Sequence, residues 1–303
     1  MNILGKRYWY FALSLLIIIP GIILISINGL PLSIDFTGGS KLEVRFAGET
    51  PSPAEVVAVY KSIGVDDAQV QTTSTGTIQI RSSELDETAS VEIQNALKAA
   101  FGEITIELFD TVGPSIGAQV AQRAILAVAF AALAVVFYIT FTFRGLEHAF
   151  RYGVIAVIAM IHDVAIVMSV TAIGGRFWGW QVDALFLTAL LTVIGFSVQD
   201  KIVVFDRIRE NSNIYRKLPF ETLANHSIIQ TLQRSINTQL MTVEFMLLAL
   251  ALFGGVTLRE FAVILLIGLF SGTYSSIFIA APILVVWEKR EWKTWFGRNA
   301  EAA

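Results

Sequence analysis

An acid and a base, Asp200 and Lys201, stand side by side near the end of the apolar run 184–205. A charged residue at the centre of a membrane span costs about 2.5–3.5 kcal/mol, whereas a large aliphatic residue returns only about 0.3–0.6 kcal/mol. A helix that carries both groups therefore needs a polar inner face. A carboxylate kept at such a cost is typical of a pathway for protons or small cations, so Asp200 is a candidate ion-binding residue.

The sequence leaves two interpretations of Lys201. Its ammonium could snorkel to the cytoplasmic membrane surface. Side chains naturally lean toward the N-terminal end of their helix, however, and snorkelling would take this one in the opposite direction. Alternatively it tunes or neutralises the neighbouring acid, because a cation favours the ionised carboxylate. Consecutive residues diverge by about 100° around a helix, so adjacency alone does not make Asp200 and Lys201 an ion pair.

Other apolar runs contribute further ionisable residues. His162 and Asp163 occupy the middle of the run 152–173, where the imidazole is either a neutral group bonded to a neighbouring helix or part of a relay. Glu244 lies in a later run, and Arg234 precedes it on the same helical stripe, unless Arg234 only anchors the membrane interface. No metal-ligand spacing, catalytic triad or phosphate-binding glycine loop competes with an ion relay, so we expect neither an enzyme nor a bound cofactor.

The composition of the 303-residue chain explains why these runs are membrane spans. Only 16% of the residues are charged and 54% are hydrophobic, whereas soluble chains are about a quarter charged. Six apolar runs have the length of about 20 residues that crosses a bilayer, namely 8–28, 123–143, 152–173, 184–205, 236–254 and 260–286. The sequence therefore predicts an α-helical integral membrane protein with six transmembrane helices.

Basic residues of the short connections predict the orientation in the cell membrane, because cytoplasmic loops are rich in Lys and Arg. The two sets are Lys6, Arg7, Arg144, Arg151, Arg207, Arg209, Arg216, Lys217, Lys289, Arg290, Lys293 and Arg298 on one side, and Arg176 and Arg259 on the other. Both termini are therefore expected in the cytoplasm. Membrane lipids are the expected surroundings, and nothing indicates a nucleic-acid partner.

The runs divide the chain into four segments. These are 1–30 (N-terminus and first span, a retained signal-anchor), 31–118 (an extracytoplasmic domain), 119–287 (spans two to six, with an amphipathic cytoplasmic loop at 206–235) and 288–303 (a basic cytoplasmic tail). Asp206 and Arg207 open the loop, which either lies as a helix on the inner membrane surface or is a plain positively charged connection.

The predicted outer domain has the periodicity of a small α+β fold. Alternating segments predict strands at its start, middle and end, and two helical segments lie between them, the first with Ser52 as N-cap, Pro53 at its first position and Gly64 at its end. The order βαββαβ is that of a ferredoxin-like module. The domain contains neither His nor Cys, which favours a binding or mechanical role over catalysis.

Glycine-rich junctions flank this domain. SIDFTGGS (33–40) precedes it and VGPSIG (112–117) follows it. Taken alone, Gly38, Gly39, Gly113 and Pro114 are ordinary turn residues of these junctions. Asp35 is then a surface group or a local cap.

The motifs together resemble the SecF proteins of the SecD/SecF family, within the RND superfamily. The resemblance covers nearly the whole chain. It is carried by ALLTVIGFSVQDKIVVFDRIREN (189–211), SIIQTLQRSINTQLMT (227–242), the two junctions, and HD at 162–163.

The resemblance implies a six-span RND-type half-transporter whose other half is SecD. The SecYEG channel, YajC and the SecA motor would be associates, and the substrate would be a translocating preprotein. The energy source would be a proton or sodium gradient rather than ATP. Asp200 would be the fourth-span acid and Arg234 the basic residue before the fifth span, both in the ion pathway.

The chain departs from the SecF pattern in two places. The chain has Gln199, Asp200 and Lys201 where the family commonly has Asn, Asp and Thr, and Glu244 stands where the family is apolar or hydroxylated. Lys201 and Glu244 could compensate each other across two helices. Two other functions remain open: a stand-alone RND-like exporter of a lipid or small molecule, and a non-transporting assembly factor of the channel.

Overall fold

The chain divides into two units in the structure, a computed structural model that describes residues 2–73, 76–144, 149–239, 245–254 and 256–292. The helical unit comprises residues 1–29, 128–171 and 185–303, and the sheet unit comprises residues 30–127 and 172–184. In chain order the elements are α1 (Arg7–Asn28), α2 (Ile34–Thr37), β1 (Gly39–Phe46), α3 (Pro53–Ser62), β2 (Gln69–Thr72), β3 (Ile78–Ser82), α4 (Glu87–Phe101), β4 (Ile104–Val112), α5 (Pro114–Thr142), α6 (Ala149–Trp178), α7 (Ala184–Ile214), α8 (Phe220–Gln239), α9 (Phe245–Phe253), α10 (Val256–Ser275) and α11 (Ala281–Lys289).

Helices long and apolar enough to cross a membrane account for five of the predicted spans. Among the described residues they are Leu4–Asn28, Pro114–Thr142, Phe150–Trp178, Ala184–Ile214 and Leu258–Lys289. The chain is thus a multi-pass membrane protein. The remaining predicted span, 236–254, includes residues 240–244, which lie outside the described part of the chain, and it stays a prediction.

The last span is interrupted by a π-helical turn. Residues Ser276–Ala280 form this turn between α10 and α11. Pro282 lies in the first turn of α11, where its missing N–H removes one backbone donor. Such turns change the register of side chains within a helix and occur often at functional sites.

Small residues bring the helices of this unit into close contact. A Cβ atom on Gly21 of α1 would collide with Ser169 of α6, and one on Gly268 of α10 would collide with Val193 of α7. Without hydrophobic driving force in lipid, helices associate through such close packing and through polar contacts.

The predicted loop 206–235 is helical for most of its length. Residues 206–214 continue α7 beyond the predicted end of the span, and α8 follows after a short turn. Leu223, Ala224 and Ile228 of α8 are at most 4% exposed and join the core of the helical unit. The apolar face of α8 thus packs against the helical unit, and its opposite face is polar.

A four-stranded antiparallel sheet forms the other unit, with strand order β2-β3-β1-β4. Apart from the short α2, the element order is the predicted βαββαβ. Ser52 caps α3 in a reciprocal capping box with Glu55, and Asp86 caps α4. The inner face of the sheet and the two helices share one apolar core around the fully buried Val44, Ile78 and Ile93, which excludes water from the helix-covered side.

Candidate functional site

The carboxylate of Asp163, on α6, is the centre of a buried polar cluster. The residue is 1% exposed. Its Oδ2 atom accepts hydrogen bonds from the hydroxyl of Ser197 at 2.5 Å, the hydroxyl of Ser275 at 2.7 Å and the ammonium of Lys201 at 2.8 Å. A carboxylate that accepts this many hydrogen bonds is held in one orientation.

The other carboxylate oxygen faces His162 and α10. Ser271 donates to Asp163 Oδ1 at 2.7 Å, and the Nδ1 atom of His162 lies 3.1 Å from the same oxygen. An ionised carboxylate only accepts, so with Asp163 ionised this contact is a hydrogen bond in the tautomer that carries the proton on Nδ1 of His162. The imidazole also stacks on Tyr274, at 6.3 Å between ring centroids. Its partner is therefore the acid on its own helix, and not a neighbouring helix as one interpretation of the sequence had it.

Lys201 is fully buried and pairs with Asp163, so snorkelling is wrong for this residue. Its ammonium also contacts Ser197, both the backbone carbonyl at 3.2 Å and the hydroxyl. Ser197 lies one helical turn before Lys201, and side chains lean toward the N-terminus of their helix, which brings the ammonium back over Ser197 to α6. Glu244, the partner considered from the sequence, lies outside the described residues.

Asp200 lies on a different side of α7 from its neighbour. It is 6% exposed, and its Oδ2 atom accepts a hydrogen bond from Thr273 of α10 at 3.1 Å. The two adjacent ionisable groups thus have different partners, Thr273 of α10 for Asp200 and Asp163 of α6 for Lys201. The site holds one cation on α7 and one carboxylate on each of α6 and α7, an arrangement suited to binding a proton or small cation.

Close helix packing positions the cluster. A Cβ atom on Gly272 would lie 3.2 Å from the Cα atom of Ser197, so α10 approaches α7 closely at the level of the cluster. Ser271 and Ser275 are one turn apart, and the π-helical turn begins directly after them.

Sequence reasoning missed the hydroxyl residues of this site: Ser197, Ser271, Thr273 and Ser275. Their signal was the spacing of four residues between polar side chains inside apolar runs, as in Ser197–Lys201 and Ser271–Ser275. Among the described residues, no group of three or more His, Cys, Asp or Glu side chains is placed to hold a metal ion.

The predicted cytoplasmic site residues lie apart from this cluster. Arg234 is exposed on α8 and forms no hydrogen bond or ion pair with Asp163 or Asp200 in the described structure. Asp206 pairs with Arg209 at 2.7 Å within α7. Arg207 donates to Gln230 at 2.6 Å and so connects α7 to α8.

The glycine junctions pack directly against each other in the sheet unit. Gly38 and Gly39 have φ of 74° and 116°, a region that favours glycine. A Cβ atom on Gly38 would lie 2.7 Å from the Cα atom of Pro114, and one on Gly117 would lie 2.6 Å from the Gly38 nitrogen. Gly113 is different, because a Cβ atom there would make an ordinary contact at 3.5 Å from Glu84. Gly38, Gly39 and Gly117 are thus closely packed and more than turn residues, whereas Gly113 is not.

Asp35 caps a helix that is distant in sequence. Its Oδ2 atom accepts from the backbone N–H of Ala184, the first residue of α7, at 2.9 Å. A carboxylate at a helix N-terminus accepts a hydrogen bond from a backbone N–H that has no partner within the helix, and its negative charge interacts favourably with the helix dipole. Asp35 therefore fixes the start of the helix that carries Asp200 and Lys201.

Comparison with known families and structures agrees with this architecture. Residues 92–290 match the family described as "Protein export membrane protein SecD/SecF, C-terminal", and residues 23–48 match "SecD/SecF GG Motif". The GG match covers Asp35, Gly38 and Gly39.

Relatives of full length carry the same name. "Protein translocase subunit SecF" of Anaerolinea thermophila is 67% identical over 305 residues, covering 100% of this chain and 99% of that protein. The protein of that name from Thermobaculum terrenum is 45% identical over 316 residues, covering 100% and 99%.

A solved structure has the same fold. The crystal structure of SecDF, a translocon-associated membrane protein from Thermus thermophilus, matches with a TM-score of 0.84 at 32% identity. The match covers 96% of this chain and 39% of the SecDF chain, so this chain spans well under half of that protein. The chain therefore belongs to the SecD/SecF family of protein export membrane proteins, in its SecF branch.

Proposed function

We propose that the chain is a SecF-type subunit that uses the proton or sodium gradient to promote export of preproteins after SecA-driven translocation. SecD would supply the other half of the transporter, as the single SecDF chain of the structural relative suggests. The SecYEG channel, YajC and SecA would be its associates. Both termini would lie in the cytoplasm and residues 31–118 outside it, with no bound cofactor.

The buried cluster around Asp163 and Lys201 is the observation that carries this proposal. These residues are 1% and 0% exposed inside helices long and apolar enough to span a membrane. A buried ion pair is weak evidence for stability, because desolvation of both charges offsets their attraction. Ionisable groups kept there at such a cost support a role in ion transfer.

The geometry supports a mechanism in which binding of a proton to Asp163 moves the Lys201 ammonium. A proton bound at Asp163 would remove the negative charge that holds Lys201. The ammonium would then favour Asp200, the adjacent carboxylate, which now accepts from Thr273. Such a shift changes the contacts among α6, α7 and α10, and could transmit ion binding to the rest of the complex.

The sheet unit would have a binding or mechanical role outside the membrane. Its strand order β2-β3-β1-β4 with all neighbours antiparallel supports assignment to the ferredoxin-like class. Fixed junctions at Gly38 and Pro114, and the cap that Asp35 places on α7, would connect its movement to the ion-binding helices.

The test of the proposal is Asp200→Asn in the complex with SecD. The change nearly preserves shape, so we expect intact assembly and loss of gradient-dependent stimulation of secretion in proteoliposomes. Glu210→Gln is the matched control, because Glu210 is an exposed acid on the same helix. Full stimulation by Asp200→Asn would contradict ion coupling at this residue and favour an assembly factor.

A second test addresses the orientation. A single cysteine at Asn95, exposed on α4, should react in sealed cells with a membrane-impermeant reagent, whereas one at Ser212 should not. Equal labelling of the two sites would contradict the assigned orientation.

One observation favours a second candidate, a stand-alone exporter of a lipid or small molecule. A cavity of about 410 Å³ lies between α1, α6 and α10 and is lined mainly by apolar side chains. Cavities of this size accept small ligands. Transport of a fluorescent lipid by vesicles that contain this chain without SecD would support that function, and a requirement for SecD would oppose it.

A further inference from the structure

The cavity between α1, α6 and α10 reaches the buried acid through two side chains. His162 and Ser271 line the cavity and also bond to Asp163 Oδ1. Of the donors to Asp163, only these two line the cavity; Ser197, Ser275 and Lys201 do not. Since Asp163 is 1% exposed, any proton that reaches it must pass through one of its bonded neighbours.

The two ring nitrogens of His162 have different surroundings. Nδ1 faces Asp163, while Nε2 is buried and has no hydrogen-bond partner within the described residues. With the proton on Nδ1, Nε2 is an acceptor without a donor, which is costly in an apolar environment. A water molecule in the cavity would satisfy it, and 410 Å³ is ample for several waters.

The mainly apolar lining of the cavity includes a few polar groups that can bond such a water. Tyr274 lines it, although its hydroxyl donates to the backbone carbonyl of Tyr10. Ser14 of α1 faces the cavity with a neutral hydroxyl. The charged groups that bear on His162 are Asp163 on its own helix and, beyond that carboxylate, Lys201 of α7.

We propose that this cavity is a hydrated access site for protons and that His162 relays them to Asp163, an inference that rests on the proposed ion coupling. A hydronium ion in the cavity gives a proton to Nε2 and is left as water. The Nδ1–H bond then breaks as an Oδ1–H bond forms on Asp163, and the imidazole is left neutral with its proton on Nε2. One proton thus moves from the cavity to the carboxylate, and rotation of the ring resets the relay. Ser271 holds Oδ1 in place during the transfer.

Hydration is tested first, because the chain contains no cysteine and single cysteines can be placed freely. Only a thiol in contact with water forms the reactive thiolate, so Ser14→Cys should react with a small methanethiosulfonate at least about tenfold faster than Leu16→Cys. Leu16 is the matched control, since it lies two residues further along α1 and is 71% exposed outside the cavity. Equal rates would mean a cavity filled by lipid and would overturn the proposal.

The relay is tested in the complex with SecD by His162→Gln and His162→Ala. Both should reduce proton-driven stimulation of secretion at least about tenfold, the scale of general acid–base effects, while SecD still co-purifies. Added imidazole should restore stimulation to His162→Ala and not to His162→Gln, whose side chain fills the site. Full stimulation in the variants, or loss that imidazole leaves unchanged, would overturn the relay.

Parallel measurement of Asp200→Asn separates this inference from the proposed function. Loss of coupling in Asp200→Asn with full coupling in both His162 variants would refute the relay alone. Full coupling in Asp200→Asn would remove the premise of ion coupling, and the relay with it.

Discussion

Two charge clusters of the helical unit have similar chemistry and different surroundings. The first is the pair Asp163–Lys201, with side chains 1% and 0% exposed. The second joins helix ends: Arg7 bridges Glu221 and Glu291, and Lys289 also contacts Glu221, with side chains 12–43% exposed. The same groups therefore occur once in a desolvated position and once at a partly hydrated surface.

The degree of hydration determines how each cluster responds to the loss of a charge. Removing one partner of a buried pair leaves a charge without solvent or counter-charge, which costs about 3–5 kcal/mol. At a surface, water and salt replace a lost partner, and a pair contributes about 0–1 kcal/mol. The surface cluster can fasten α1, α8 and α11 together with a smaller dependence on any single charge than the buried cluster has.

The largest effect is expected from breaking the buried pair. Lys201→Met leaves Asp163 uncompensated, so we expect a loss of about 3–5 kcal/mol or of most folded yield. The double variant Lys201→Met/Asp163→Asn should recover much of it. The measurement is a double-mutant cycle on the midpoint of unfolding in detergent micelles.

Lys217→Met is the matched control, since Lys217 is exposed and its loss should change stability by no more than about 0.5 kcal/mol. Additive losses from Lys201→Met and Asp163→Asn would contradict the pair. Recovery by Glu244→Leu instead would return the partnership to the residue that the sequence suggested.

An intermediate effect is expected at Arg7, whose side chain is 12% exposed. It donates to Glu221 at 2.8 Å, to Glu291 at 2.5 Å and to the Leu4 carbonyl at 3.0 Å. Arg7→Gln should lower the free energy of unfolding by about 1–3 kcal/mol, because it loses hydrogen bonds to charged groups at a site that water reaches only in part. Arg209→Gln, in an exposed pair, should cost less than about 1 kcal/mol in the same unfolding assay. Equal losses of stability in Arg7→Gln and Arg209→Gln would contradict a larger contribution from the less exposed arginine.

The smallest effect concerns pH at Glu221. The hydrogen bond from Lys289, opposed by partial burial and aided by Arg7, lowers the pKa of this carboxyl below its ordinary value of 4.5. Its contribution to stability is thus present above pH 4.5 and is lost as the pH falls through the lower folded pKa. The free energies of unfolding of wild type and Glu221→Gln should differ by less than about 1 kcal/mol at pH 7. The difference should shrink as the pH falls below 4.5 and through the lower folded pKa, as measured by thermal unfolding over that range. A gap that widens on acidification would contradict the assigned sign.

Much of the fold could be predicted because its signals are local. Apolar runs of sufficient length predicted five spans that the structure contains, and Ser52 and Gly64 bounded α3 as expected. The alternating segments of the sheet unit became strands in the predicted order. Boundaries were less accurate: α7 continues to Ile214, where residues 206–214 were predicted to be part of a loop, because polar residues can extend a helix beyond the bilayer.

Residue type and run length suffice to place Asp163, Asp200 and Lys201 inside apolar helices, so this much follows from the amino-acid order alone. Which groups meet depends on how the helices pack. Lys201 pairs with Asp163, 38 residues away, instead of with the acid beside it. The reason is geometric: neighbours on a helix diverge around its axis, while close approach at Gly272 brings α10 against α7 and completes the cluster with Ser271 and Ser275.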